Sequence, residues 1–355
     1  MSGQGGIRPL GGVKVVEFEG IGPGPLCGSM LAGLGAEVTL VARPVPPDAR
    51  RVLKGAAVPP QMEQEYGKRV VRLDLKQAEG VAAALELVAG ADVLIEGLRP
   101  GTMERLGLGP AACHARNPRL VYGRMTGWGQ SGPLAHSAGH DLNYVALTGM
   151  LSLAARDGAL PMVPPTMTGD GAGALGLAFG IVSAVLHARA SGQGCVVDAA
   201  ITDIAAMIGS LAQVAHAAGT IGGPRPSPFH DSPFYDVYRC ADGRAITLGA
   251  LEPQFYRLLL EKLEFDDVDP AAQYDSSHWP ALKARIAARI AQRPSAYWCE
   301  RFEGSDVCFA PVLTLEEAAR HPHNAARGTF LRYTLDGREF ARAAPAPRFL
   351  APGAD

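Results

Sequence analysis

The chain has 355 residues, 47% of them hydrophobic, and contains 43 glycines and 28 prolines. This length is enough for two domains, and the composition is that of a turn-rich globular protein rather than a disordered one. The formal net charge of −2 gives no reason to expect nucleic acid or an anionic membrane as a partner. The six cysteines are scattered and include no Cys-x-x-Cys pair, which argues against a zinc site or a disulfide framework and favours reduced thiols.

Targeting signals are not visible in the sequence. The N-terminal residues are rich in glycine and contain no apolar leader. The apolar stretch at residues 175–185 is too short and too interrupted by glycine to span a bilayer. The last residues do not form a peroxisomal address. We therefore expect a cytoplasmic protein.

Short apolar runs alternate with helical stretches in the first part of the chain. This alternation is typical of a parallel sheet covered by helices, and the right-handed crossover rule then gives a Rossmann-like layer. The glycine-rich turn at residues 20–24 is not a dinucleotide site, because its spacing is not Gly-x-Gly-x-x-Gly and Pro23 removes an amide donor. The predicted strands are 13–18, 37–41, 69–75, 92–96 and 120–124, and the predicted helices are 27–34 and 80–89.

The later part of the chain differs in composition and in the order of its predicted elements. A long helix rich in small residues is predicted at 171–190, and we attribute its composition to close packing against another backbone. The further predicted elements are a strand at 196–201, a helix at 203–216, a hairpin at 234–251, helices at 254–263, 280–292 and 296–302, and a capping box at Thr314. The predicted domains are a large α/β domain (1–218), a linker (219–227), a small α+β domain (228–326) and a C-terminal segment (327–355).

Three segments flanked by Gly or Pro carry His140, Asp170 and Glu252. Such flanks let the backbone come close to a ligand. A His and an Asp from different segments can take a proton from one face of a carbon and return one to the opposite face. Each segment alone also fits a plain turn, and Asp141 or Asp170 could simply cap a helix. Taken together, the three segments predict a two-base site.

These motifs resemble those of the alpha-methylacyl-CoA racemases, a branch of the family III CoA-transferase superfamily. The racemase-specific parts are Gly-His-Asp-Leu-Asn-Tyr at 139–144 and Glu-Pro-Gln-Phe at 252–255. The resemblance implies the family fold: a Rossmann-like large domain, a smaller α+β domain, a C-terminal segment that returns to the large domain, and an interlocked homodimer. It also implies a role in fatty-acid and lipid metabolism. The likeness further includes residues 15–25, 94–101, 125–130 and 345–347.

The chemistry implied by the resemblance is racemisation of a 2-methylacyl-CoA thioester through an enolate. His140 is the natural first base because imidazole titrates near neutral pH. Asp170 is the natural second base, placed at a helix start where the macrodipole favours the carboxylate, and the amides of residues 171–173 are candidate donors to the enolate oxygen. By resemblance, Glu252 hydrogen-bonds His140 and fixes its tautomer. We expect no metal and no redox cofactor, since CoA is part of the substrate.

The resemblance also assigns residues to the CoA thioester. Arg43 and Arg99 would contact the nucleotide phosphates, with Arg105 one turn after Arg99, although each arginine alone reads as a solvated surface charge. Tyr144 would line the thioester pocket. Gly171 stands where the family has an aromatic residue, and residues 230–235 also depart from the family pattern, which puts the acyl specificity in doubt. The residues implied to flank the adenine are Leu73, Val93 and Leu94. His321 and His323 lack a third ligand and are expected at the surface.

Two other functions remain open on the sequence. On the same fold, a CoA transferase would use Asp170 as the nucleophile and form a mixed anhydride and then a glutamyl- or aspartyl-CoA-type thioester. His140 and Glu252 discriminate, because a transferase needs no second base at these places. A catalytically silent CoA-binding protein is the third possibility, and the intact pair of His140 and Asp170 argues against it.

Overall fold

The computed structural model describes residues 7–44, 65, 67–156, 159–335 and 338–353. By internal packing the chain forms two compact units, the first comprising residues 1–209 and 344–355 and the second residues 210–343. The domain limits predicted from the sequence divide the chain differently, since they isolate a linker and a longer C-terminal segment, and they stay a prediction. In the first unit, Pro345 of the C-terminal segment packs on Gly33 of the first helix.

Six strands of the first unit form a parallel sheet in the order β3-β2-β1-β4-β5-β6. This is the strand order of a doubly wound Rossmann layer, so the predicted Rossmann-like parallel sheet is confirmed. In such sheets ligands bind beyond the carboxyl ends of the strands, near the point where the strand order reverses. The strands are β1 (Lys14–Phe18), β2 (Glu37–Ala42), β3 (Arg69–Arg72), β4 (Val93–Glu96), β5 (Val121–Thr126) and β6 (Cys195–Ala200).

Helices cover this sheet. The longest, α6, packs on β5, β6 and α1. Its glycines permit this approach, because a Cβ on Gly176 would lie 2.6 Å from Ile204 and one on Gly180 would lie 2.8 Å from Val197. The close packing predicted for this helix is therefore confirmed. The helices are α1 (Pro23–Gly33), α2 (Ala78–Ala89), α3 (Thr102–Arg105), α4 (Pro110–Arg116), α5 (Asp141–Leu147), α6 (Ala172–Ser191) and α7 (Ile201–Ile208).

The apolar segment is longer than the sequence analysis allowed. Residues 167–191 are continuous in helical turns, and an 18-residue window within them has a mean hydropathy of 1.7, which by length and composition would be enough to cross a membrane. Seven residues of α6 are buried against the core of this unit, as expected of the core helix of a globular protein. Length and composition alone are therefore weak evidence of a membrane span.

The second unit has a three-stranded antiparallel sheet, β7-β8-β9, and a separate hairpin, β10-β11. Its core is aromatic, with Phe234, Tyr256 and Phe302 fully or almost fully buried. The predicted capping box is confirmed, since Thr314 Oγ1 accepts the Glu317 amide at 3.2 Å and Glu317 Oε2 accepts the Thr314 amide at 2.9 Å. The strands are β7 (Tyr235–Arg239), β8 (Ala245–Gly249), β9 (Phe309–Pro311), β10 (Phe330–Leu335) and β11 (Arg338–Ala343). The helices are α8 (Ser210–Ala217), α9 (Pro253–Leu263), α10 (Trp279–Ile290), α11 (Ser295–Phe302), α12 (Leu315–Ala318) and α13 (Pro322–Arg327).

Several element boundaries differ from prediction for local reasons. Helix α1 begins four residues earlier than predicted, because Pro23 fits the first helical position. The predicted helix at 203–216 is two helices that meet at Gly209, a residue that weakens a helix interior. The hairpin β10-β11 was not predicted.

Candidate active site

His140 lies at the start of α5, beyond the carboxyl end of β5. It is the N-cap residue, and its backbone amide donates to Asn143 Oδ1 at 3.0 Å, while its imidazole is exposed. The Tyr144 hydroxyl donates to the Gly139 carbonyl, and the Tyr144 ring meets Trp128 edge-on at 4.7 Å between centroids. These contacts fix the loop that presents the imidazole.

Asp170 lies in a single π-helical turn, Met167–Gly171, directly before α6. Such turns are frequent at functional sites. Thr166, which precedes the turn, has a left-handed φ of 61°, a conformation that is costly for a residue with a Cβ. The carboxyl group of Asp170 is half-buried. The sequence analysis therefore placed Asp170 correctly near a helix start but missed the turn that holds it.

The amides of residues 171–173 were predicted to donate to an enolate oxygen. This prediction is wrong for two of them. The Gly171 amide donates to the Thr166 carbonyl at 2.9 Å. The Ala172 amide donates to the Gly169 carbonyl. The Gly171 bond closes the π turn and the Ala172 bond joins the turn to α6, so both donors already have partners. Gly171 itself lies beside Asp170, and a Cβ there would make only an ordinary contact of 3.6 Å with Thr166.

Asp141 connects the two segments. Its Oδ1 accepts the backbone amides of Gly169 and Asp170, each at 2.7 Å, and Asp141 is only 7% exposed. A Cβ on Gly169 would lie 2.5 Å from this oxygen, so the close approach requires glycine. The sequence also allowed Asp141 to be a plain helix cap. This prediction is corrected in part, because the carboxylate accepts amides of a turn 28 residues away rather than of its own helix.

The glycine-rich turn after β1 lies close to the carboxyl group of Asp170. Gly22 has a φ of 68°, and a Cβ on it would lie 3.4 Å from Asp170 Oδ2. The sequence analysis rejected this turn as a nucleotide site and assigned it no other role. Its signal was a run of glycines without a phosphate-binding spacing, and the structure shows that the backbone passes close to Asp170.

Electrostatic interactions tie these residues into one site. Burial raises the pKa of Asp170, the neighbouring Asp141 charge raises it further, and His140 lowers it. Burial also raises the pKa of Tyr144, as does the charge of Asp170, while Arg99 lowers it. His140, Asp170, Tyr144 and Arg99 are thus brought together, whereas the sequence alone only placed them in separate segments.

The cations predicted to bind CoA lie at the carboxyl ends of β2 and β4. Arg43 follows β2, and Glu19 Oε2 accepts its amide at 2.8 Å and its guanidinium at 3.2 Å, yet the Arg43 side chain remains 77% exposed. Arg72, which the sequence analysis missed, donates to the Arg43 carbonyl at 3.3 Å. Leu73 follows it and is half-buried. Exposed arginines therefore lie where phosphates were predicted, although Arg72 also pairs with Glu65 at 3.3 Å.

Arg99 and Arg105 are exposed around the loop after β4. A buried network supports this loop from below: Glu96 Oε2 accepts the Leu98 amide at 2.7 Å, and Glu96 Oε1 accepts Arg124 Nε at 2.9 Å. Arg105 donates to Thr102 Oγ1 at 3.0 Å. The Glu96–Arg124 pair could not be recognised from the sequence, because its members lie on different strands.

The prediction that Val93 and Leu94 flank the adenine is wrong. Val93 and Leu94 have no exposed surface, and they point into the cores on opposite faces of the sheet. The reason is that β4 is a central parallel strand, which is covered by helices on both faces. Neither side chain offers a surface to a ligand.

Glu252 belongs to the second unit. It is exposed and precedes Pro253, the first residue of α9, as predicted for a helix entry. The Leu251 carbonyl accepts Gln273 Nε2 at 2.8 Å and the Tyr274 hydroxyl at 2.5 Å, which holds the backbone next to Glu252. The role of Glu252 toward His140 stays a prediction.

Comparison with known proteins identifies the family. The sequence profile of CoA-transferase family III matches residues 10–352. The chain belongs to this family. It is 40% identical to an alpha-methylacyl-CoA racemase of Mus musculus over 341 residues, which are 95% of this chain and 86% of the relative. The racemase of Homo sapiens is also 40% identical, over 91% of this chain and 82% of its own length.

The fold agrees with the family assignment. A crystal structure of a Mycobacterium tuberculosis protein superposes with a TM-score of 0.79 at 28% sequence identity, and the match covers 98% of this chain and 94% of that one. The match to family III therefore covers both compact units, not the Rossmann-like unit alone.

Metal ligands do not gather in the described part of this family III chain, where no group of three or more His, Cys, Asp or Glu side chains is placed to hold an ion. His323 is exposed, and His321 Nε2 lies 3.8 Å from Glu303 Oε1. Both histidines belong to the second unit, whereas Asp170 belongs to the first.

Proposed function

We propose that this protein is a racemase that interconverts (R)- and (S)-2-methylacyl-CoA thioesters by two-base proton transfer. The observation that carries the proposal is the joining of His140 and Asp170, from segments 30 residues apart in the chain, by the Asp141 carboxylate at the carboxyl side of the sheet. The 40% identity to racemases along nearly the whole chain supports it.

The reaction follows from the acidity of the substrate. The thioester carbonyl delocalises the charge left when the α-proton is removed. His140 takes that proton and becomes imidazolium, while Asp170 in its acid form gives a proton to the opposite face and becomes carboxylate. In the reverse direction the roles exchange. The raised pKa of Asp170 suits it to the acid role, because more of it is protonated at a given pH than of an ordinary aspartate.

The CoA moiety would be held by the exposed arginines that follow β2 and β4, on the same side of the sheet. Arg43 and Arg99 contact the phosphates in this proposal, with Arg105 one turn after Arg99, and Leu73 flanks the adenine. Tyr144 and Gly171 lie beside the reacting thioester. The acyl-CoA is the substrate, and the proposal requires no metal or redox cofactor. We further propose a homodimer, a cytoplasmic location and a positioning role for Glu252 on His140.

Incubation of the purified protein with an (R)-2-methylacyl-CoA in D₂O tests the function. The proposal expects deuterium at the α-carbon together with formation of the (S)-epimer, measured by mass spectrometry after chiral separation. Transfer of the acyl group from CoA to a free acid, without deuterium at the α-carbon, would establish the transferase function with Asp170 as nucleophile instead.

A further inference from the structure

We propose that Asp141 is a positioning residue for Asp170: its carboxylate fixes the turn that carries Asp170 and places a second negative charge beside it. This inference rests on the proposed racemase function only for its kinetic consequences. The geometry on which it stands belongs to the folded chain itself.

The first support is the pair of hydrogen bonds from Asp141 Oδ1. It accepts the amides of Gly169 and Asp170 at 2.7 Å each, and hydrogen bonds to an ionised acceptor are roughly twice as strong as neutral ones. Asp141 is 7% exposed, so water competes little for these donors. Removing the acceptor would leave two amides unpaired at the residue that carries the second base, which costs free energy.

The second support is that Asp141 is adjacent to His140. The first turn of α5 is fixed by the bond between the His140 amide and Asn143 and by the Tyr144 ring. One short segment therefore presents the first base directly and holds the second through a side chain. The placement of the second base relative to the first therefore depends on the Asp141 side chain.

The third support is charge. Asp141 is the like-charged neighbour that raises the pKa of Asp170, acting beside burial and against His140. The other elements packed on the turn contribute little opposing charge. Helix α5 adds the Tyr144 phenol, α1 the buried Cys27 and α7 the exposed Asp203, while α6 carries His187 and Arg189 only in its last two turns. Neutralising Asp141 should therefore lower the pKa of Asp170.

Two substitutions separate the positional and electrostatic parts. Asp141→Asn keeps an oxygen that can accept both amides but removes the charge. Asp141→Ala removes both. The matched control is Asp92→Asn in the same unit, whose carboxylate also accepts a distant backbone amide, that of Lys14 at 2.9 Å, at the amino end of the sheet. A role confined to general stability would make the control behave like the Asp141 variants.

The direct measurement is a ¹³C NMR titration of the aspartate carboxyl groups, with the Asp170 signal assigned from Asp170→Asn. We expect the Asp170 titration to move to lower pH in Asp141→Asn and to stay in place in Asp92→Asn. An unchanged Asp170 titration in Asp141→Asn overturns the inference. This readout needs no turnover, so it decides the role of Asp141 even if the wild-type protein exchanges no α-hydrogen and the racemase proposal fails.

The kinetic measurement adds the positional part. At saturating thioester, Asp141→Ala should lose roughly 10- to 100-fold in kcat, since a misplacement of about 1 Å can cost that much. Its KM should stay within about twofold, because the proposed phosphate ligands are untouched. Asp141→Asn should retain most of the kcat, with the acidic limb of its pH–rate profile moved to lower pH. Full kcat in Asp141→Ala contradicts the positional role.

Discussion

Glu17 and Asp170 are both carboxyl groups of the first unit whose pKa is raised by burial, but their surroundings differ. Glu17 is fully buried, and the Lys68 ammonium lies 2.9 and 2.7 Å from its two oxygens and donates to the Pro25 carbonyl. Burial raises the pKa of Glu17 to about 7 although Lys68 lowers it. Asp170 is half-buried, and none of the described cations forms an ion pair with it.

This difference in surroundings distinguishes a structural carboxyl group from one that can react with a ligand. A buried carboxylate that is closed by a cation and by protein on every side can only hold elements together. A carboxyl group whose pKa is shifted but whose oxygens remain accessible can exchange a proton with a ligand. Shifted pKa values alone would have ranked Glu17 as the stronger candidate for catalysis, and exposure reverses that order.

The largest expected effect is on stability, at the closed carboxylate. Lys68→Met should lower the free energy of unfolding by about 3–5 kcal/mol, because it leaves Glu17 buried without its partner. Glu17 has a folded-state pKa above its ordinary value of 4.5, so the stability it contributes is complete below about pH 4.5 and is lost as the pH rises through 7. In Lys68→Met this loss should extend to higher pH, because the pKa of Glu17 rises further without the ammonium that lowers it. Urea unfolding at several pH values measures it.

The control for that prediction is the double variant Glu17→Gln, Lys68→Met, in which no charge remains buried. It should recover much of the lost stability and show a flatter pH dependence. Equal stabilities for the single and double variants would show that the pair does not behave as a closed, structural one.

The next effect is on activity, at the open carboxyl group. His140→Ala and Asp170→Ala should each lower racemisation by at least about 100-fold, the low end of what a general base contributes. Binding of the CoA thioester should survive, since neither residue is proposed to hold the nucleotide. Deuterium exchange and calorimetric titration measure the two quantities. Full activity of either variant would refute the two-base assignment.

Glu252 extends the comparison to an exposed carboxylate in the other unit. If it orients His140, Glu252→Gln should lower kcat by roughly tenfold, leave thioester affinity unchanged and keep unfolding cooperative. The size of the loss should lie below that of His140→Ala, because the imidazole is still present. Unchanged kcat would dismiss the positioning role.

The source of Glu252 can be tested with mixed chains. Inactive His140→Ala and weakened Glu252→Gln proteins are combined under conditions in which subunits exchange. Recovered activity would show a site shared between chains of a homodimer. No recovery, with exchange confirmed independently, would place both residues in one chain's contribution.

How far the sequence reached can be seen in particular residues. The parallel sheet was predictable because each strand is a short apolar run followed by a helical stretch. His140, Asp170 and Glu252 stood out because glycines and prolines flank them. Asp141 was misread because its hydrogen bonds reach 28 residues along the chain. Val93 was misassigned because a family likeness says nothing of which strand residues the helices cover.

The smallest expected effect is at Gly22, where the turn meets the open carboxyl group. Gly22→Ala introduces a Cβ 3.4 Å from Asp170 Oδ2 at a residue with a φ of 68°. With a ψ of −125°, Gly22 lies in a backbone region open almost only to glycine, so the alanine should cost about 1–3 kcal/mol of stability. Gly12→Ala is the matched control, because Gly12 has a φ of 82° and nothing lies within 4 Å of its added Cβ.

Both variants should therefore unfold at lower urea concentrations than the wild type, but only Gly22→Ala should also lose several-fold in kcat. The reason is that a methyl group pressed against Asp170 displaces the carboxyl group or strips its solvent, whereas the one on Gly12 meets no functional group. Equal kcat in both variants would mean that the turn merely lies near Asp170. A selective loss in Gly22→Ala would show that the open side of this carboxyl group, which Glu17 lacks, is what turnover requires.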